Sequence, residues 1–93
     1  MQTAHSAVTI DNAEARVTTW TFQPGERTGT HTHHLPYVVV PVTGGTLQLE
    51  SSDGTATAEQ VRGEPYFRPA GAEHDVVNAG TAPLVFVEIE IKS

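Results

Sequence analysis

The chain has 93 residues, 11 acidic against 5 basic side chains, a formal charge of −6 and no cysteine. One domain accounts for that length, the missing cysteines exclude disulfides, thiolate zinc sites and a cysteine nucleophile, and the scattered cations Arg16, Arg27, Arg62, Arg68 and Lys92 exclude nucleic acid as a partner, since phosphate binding needs them clustered. No apolar run reaches the roughly 20 residues of a membrane span, the N-terminus does not read as a signal peptide, and cysteine-free composition suits the cytoplasm.

In chain order, residues 1–13 are set apart as an N-terminal arm, loose or paired with another chain, and residues 14–93 form the domain proper. Residues 14–23, EARVTTWTFQ, alternate apolar and polar side chains and predict a strand that stops at Pro24-Gly25. Residues 31–43 form the next extended stretch, with Pro36 and Pro41 marking an irregularity or an edge. Gly44-Gly45 turns into TLQLES, and Ser52-Asp53-Gly54 turns into TATAEQV. Arg62-Gly63-Glu64 leads into PYFRP, Ala70-Gly71-Ala72 into HDVVN, and Asn78-Ala79-Gly80 into PLVFVEIEI, the longest apolar strand. Turns every eight to twelve residues and no helical periodicity predict an all-β, antiparallel sandwich or barrel. So short a chain buries a modest core, and a homodimer joined through strand or sheet contacts is the expected assembly.

Three of the five histidines, His31, His33 and His34, stand just before a run of valines. On a strand His31 and His33 share a face, about 6.6 Å apart along the chain, and two imidazoles so placed can converge on one ion; His34 points away. By itself an HxH is also what exposed histidines produce by chance.

The context sharpens the reading. Gly25, ERTGT, His31, Thr32, His33 is followed by Gly63, EPYFR, Pro69, Ala70, Gly71, Ala72, Glu73, His74, DVV, Asn78. Here the chain resembles the cupin superfamily, whose motifs are G(X)5HXH(X)3-4E(X)6G and G(X)5PXG(X)2H(X)3N. The second motif matches at Gly63, Pro69, Gly71, His74 and Asn78, and the first at Gly25, His31, His33 and Gly44. YVVVPVTGG, YFRPAGAEHDVVN and FVEIEIK are similar to a group of small, single-domain bacterial cupins, one of which is encoded beside genes for β-alanine breakdown. The resemblance implies a cupin barrel of jelly-roll type. It also implies a metal site of His31, His33 and His74, with Tyr37 standing where the family usually has a metal-binding glutamate.

Three neutral imidazoles accept Fe, Mn, Ni, Zn or Cu, and without a carboxylate the full 2+ charge favours a small anionic ligand. Resemblance to three-histidine cupins implies a metal-dependent enzyme of oxygenase type. The alternatives are a metal-dependent isomerase or hydrolase and a non-catalytic metal- or small-molecule-binding module. Tyr37 reads as a phenolate ligand, a donor to bound substrate, or a pocket wall. Trp20 and Phe22 read as core or pocket lining, Arg68 as a carboxylate clamp or a surface ion pair, and Asn78 as a turn cap or a support to the site. Glu88 and Glu90 alternate with Val87, Ile89 and Ile91 and read as a solvated strand face. Gly25, Gly44, Gly63 and Gly71 read as turn residues with positive φ.

Overall fold

Each alternating stretch becomes a strand in the computed structural model, which describes residues 3–92. In chain order these are β1 (His5–Asp11), β2 (Ala15–Phe22), β3 (His31–Thr32), β4 (Tyr37–Pro41), β5 (Gly45–Ser51), β6 (Gly54–Gln60), β7 (Tyr66–Arg68), β8 (Glu73–Asn78) and β9 (Leu84–Ile91), with no helix among the described residues. Five lie side by side as β1-β2-β9-β4-β7 and four as β3-β8-β5-β6. Every pairing between these strands is antiparallel, which gives the all-β barrel of jelly-roll type.

The segment 1–13 supplies an edge strand of its own chain's sheet. β1 runs along β2 from His5↔Thr21 to Asp11↔Arg16, with an irregularity between Val8 and Ile10. The buried Ala4 donates its N–H to the Arg27 carbonyl at 2.9 Å. Residues 1 and 2 of that segment, and residue 93 of the segment 14–93, lie outside the described residues. Among the described residues nothing covers β1, and Val8 and Ile10 are 56% and 50% exposed.

The extended stretch 31–43 is not one strand. It breaks at His33–Pro36 and sends β3 to one sheet and β4 to the other. Pro36 lacks the N–H that a continuous ladder would use, so the chain changes sheets there.

The register of the central strands sets the core. Across β2 and β9, Phe22 faces Leu84, Trp20 faces Phe86, Thr18 faces Glu88 and Arg16 faces Glu90. Partners in an antiparallel ladder share a face, so the inner row changes from apolar to charged along its length. Phe22, Leu84, Phe86, Val39 and Tyr37 from this sheet pack against Leu47 and Val76 from the other. Burial of side chains such as Phe22 and Leu84 stabilises the fold by roughly 1.5–3 kcal/mol each. Gly45 admits Leu84 to that core: with φ 141° it tolerates no ordinary side chain, and a Cβ would lie 2.7 Å from Leu84 Cδ1. Gly25, Gly63 and Gly71 take positive φ as expected, but Gly44 does not, and Gly45 takes that role in its turn.

Candidate metal centre

His31 on β3 and His74 on β8 are direct cross-strand partners. His33 lies just beyond β3, and its backbone is pinned by the 71–72 loop. Its N–H donates to the Ala72 carbonyl at 2.8 Å, and its carbonyl accepts from Gly71 N–H at 2.7 Å. This loop contact, rather than simple strand alternation, aims the second imidazole at the other two.

The three rings converge through Nε2. His31 and His33 Nε2 are 3.0 Å apart and His33 and His74 Nε2 3.1 Å apart. All three nitrogens lie within 4.8 Å of one another. Nitrogens held about 2.1 Å from one ion stand about 3.0 Å apart when they subtend roughly right angles, so the spacing matches a shared ion. The ring planes stand at 79°, 70° and 81° to one another.

Lone pairs are available at this point. His31 Nδ1 lies 2.9 Å from the Gly29 carbonyl, an acceptor only, so in the neutral ring Nδ1 carries the proton and Nε2 keeps its lone pair. Burial, then the neighbouring imidazoles, push His33 down to about 4. Burial, followed by His31 and Arg68 and opposed by Asp75, lowers His74. Both are neutral at pH 7, the form a metal needs.

A polar chain holds the ring of His31. Asp75 Oδ1 accepts from Gly29 N–H at 3.1 Å, and Asp75 Oδ2 accepts from Arg27 Nη1 at 2.8 Å. Thr28 Oγ1 donates to the Gly29 carbonyl at 2.9 Å and accepts from Val76 N–H at 3.1 Å. Sequence reasoning missed Arg27, Thr28 and Asp75. The only signal was parity: Asp75 follows a candidate ligand on a strand and so lies on the other face, where it can brace rather than bind.

The histidines open on a pocket between the sheets with a cavity volume of ≈ 30 Å³. Trp20 and Phe86 line it with Val39, Leu47, Leu49 and Val76. Tyr37 stacks on His33, with centroids 4.1 Å apart and planes at 23°. Burial, reinforced by the negative charge of Glu88, pushes its phenol up to about 12, so it is neutral. Arg68 also lines the pocket, its guanidinium 5.3 Å from the centre of the Tyr66 ring. The Tyr66 hydroxyl is taken up by Gln60, at 2.9 and 3.2 Å.

Two of the sequence-marked residues stand away from the cavity. Phe22 is fully buried behind it, stacked on Phe86 at 5.6 Å. Asn78 braces the far end: Nδ2 donates to the Phe22 and Ala82 carbonyls at 3.2 and 2.9 Å, and Oδ1 accepts from Gly80 N–H at 3.0 Å. Glu88 departs from its expected place. It lines the pocket, and Glu90 is half-buried against Arg16, with Oε1 3.3 Å from Nε. β9 is a central strand whose inward parity is fixed by Leu84 and Phe86, and that parity carries Glu88 and Glu90 inward with them.

The cupin domain family model (Cupin_2) matches residues 18–90. The chain is a cupin. It is 55% identical over 85 residues to the β-alanine degradation protein BauB of Pseudomonas aeruginosa, covering 91% of this chain and 90% of that one. The crystal structure of a cupin domain from Bordetella pertussis superimposes with a TM-score of 0.95 at 49% identity, covering 99% and 96% of the two chains. A double-stranded β-helix protein from Klebsiella pneumoniae, TM-score 0.78 at 17% identity, covers 97% of this chain and 77% of its own and shares the fold. This cupin has no helix, among the described residues, long and apolar enough to cross a membrane.

Proposed function

We propose that the protein is a metal-dependent cupin that acts on a small anionic organic molecule, with His31, His33 and His74 as the ligands of one divalent transition ion. The observation that carries this reading is the convergence of three Nε2 atoms, two of the separations being 3.0 and 3.1 Å. Fe, Mn, Ni, Zn and Cu all suit an all-imidazole donor set. Bound there, the ion supplies Lewis acidity and, where it is redox-active, the electron transfer of an oxygenase.

The chain's own residues do the rest. Apolar walls exclude water, which strengthens every charge interaction inside. Arg68 offers a guanidinium suited to a carboxylate. Tyr37, held neutral, offers a hydroxyl as donor to the ligand. Direct ligation by its oxygen is disfavoured, because burial holds the phenol protonated. The small cavity suits a small ligand. BauB's name, β-alanine degradation, supports an acid of that size.

Reconstitution under anaerobic conditions with each of the five metals, followed by elemental analysis, tests the reading. One ion per chain is expected, lost in His31→Ala. No stoichiometric uptake of any of the five would sink it. Oxygen consumption by the iron form with short-chain acids then separates the oxygenase from a Lewis-acid enzyme. Tight ligand binding without turnover in any metal form would place the protein among binding modules.

A further inference from the structure

Glu88 is the only acidic side chain among the described residues that line the cavity. No hydrogen bond or ion pair among the described residues occupies its carboxyl group. It comes from β9, across the barrel from β3 and β8, where two of the three histidines sit. Its ladder partner on β4 is Val39, two residues from the position where the family motif usually has a glutamate. The pocket that lacks a carboxylate on β4 therefore has one on the adjacent strand. Its oxygens are not among the ligand atoms gathered within 4.8 Å of one another, so it lines the pocket without joining the three-histidine group.

The groups around Glu88 are Glu90 on its own strand, Arg16 on β2, Tyr37 on β4, Tyr66 and Arg68 on β7, and His31, His33 and His74 from the opposite wall. Burial first, then Glu90, against the opposing pull of Arg16, raise its carboxyl to about 7. A carboxyl so placed exchanges its proton at neutral pH.

We propose that Glu88 is the ligand-facing proton acceptor of this pocket, and that the ligand it serves is a short hydroxy acid. This rests on the metal-dependent reading above. The ligand carboxylate is held by Arg68 and the cation, and the hydroxyl faces Glu88. The hydroxyl O–H bond breaks, its proton bonds to a Glu88 carboxylate oxygen, and the electron pair stays on the ligand oxygen. One negative charge thereby passes from Glu88 to the ligand. An ammonium group in place of the hydroxyl is disfavoured, because the same small cavity holds Arg68 and a divalent ion.

The test uses the full chain carrying 13C-labelled glutamate carboxyls, metal-free and loaded with Zn2+, with uptake read by calorimetry on the same samples. In the metal-free protein one carboxyl titrates near pH 7 and is missing from Glu88→Gln. Loading moves it down by about one pH unit or more. No such carboxyl, or a titration that loading leaves in place, overturns the assignment. Absence of Zn2+ uptake fails the metal reading instead, and the metal-free titration still reports on Glu88. Glycolate and acetate, which differ by one hydroxyl, then probe the ligand class on the loaded protein. Glycolate is expected to bind at least tenfold tighter, with the preference falling to within threefold in Glu88→Gln. An equal preference in both proteins, or no glycolate binding at millimolar concentration, overturns the hydroxy-acid class.

Discussion

The two ends of the barrel are built from the same strands and do opposite things. At one end Phe22, Leu84 and Pro41 are sealed from solvent, and Asn78 spends its amide on backbone partners. Four to six residues further along the same inner rows stand Glu88, Arg16, Glu90 and Tyr37, and the imidazoles face them from the second sheet. The first end gains stability from apolar burial. The second gives it up, because titratable groups half-buried without full pairing cost free energy. The fold tolerates the reactive end because the sealed end holds the sheets in register.

The largest expected effect tests that division. Leu84→Ala removes a fully buried side chain and costs about 2–5 kcal/mol in chemical denaturation, while metal stoichiometry and affinity of the folded protein stay within about threefold. A more than tenfold loss of affinity would show the two ends to be coupled and break the comparison. At the open end, His33→Ala lowers metal affinity by more than about 100-fold, since partners one step removed from a ligand already cost 10–100-fold.

The same variant sharpens the comparison through pH. His33 has a folded value of about 4, below its ordinary 6.5. The unfolded chain therefore binds more protons between those values. Its contribution to stability is complete above pH 6.5 and is lost as pH falls through 4. Metal-free wild type should lose about 2–3 kcal/mol over that interval through this group, and His33→Ala should lose correspondingly less. Parallel stability curves for the two proteins would contradict the assignment.

How much of this was legible in the sequence follows from the same contrast. The fold was readable because turn residues and alternation are local signals, and the three histidines because their spacing falls in two family motifs. Glu88 was misplaced because Val87, Ile89 and Ile91 form the more apolar row of β9, and alternation cannot say which row faces inward. Only the register with Phe22 and Trp20 decides it. The break between β3 and β4 was hidden because Pro36 signals an irregularity without naming the sheet that each half joins. Asp75 was overlooked because its role depends on Arg27 and Gly29, nearly fifty residues away in sequence.

That brace gives a smaller effect than loss of a ligand. Asp75→Ala frees Gly29 N–H and leaves Arg27 paired with Glu50 alone, loosening the carbonyl that fixes the tautomer of His31. Metal affinity should fall about 10–100-fold by calorimetry, with the three imidazoles still present. An unchanged affinity would show that the His31 ring is held by Thr28 and the strand pairing alone.

The smallest effect is expected at Tyr37, where the two regions meet. Its ring belongs to the buried core, and the residue also lines the pocket. Stacking on His33 requires the ring and not the hydroxyl, so Tyr37→Phe keeps the contact that orients the imidazole. The phenol is held neutral by burial and by the charge of Glu88, so removing it deletes no anion from the site. Metal affinity should therefore stay within about threefold, and stability within about 1 kcal/mol, the worth of one hydrogen bond. Binding of glycolate to the loaded protein should weaken, because the donor facing the ligand is gone. A tenfold or greater loss of metal affinity would instead make the tyrosine oxygen a ligand, and the boundary between core and site would then run through the middle of one side chain.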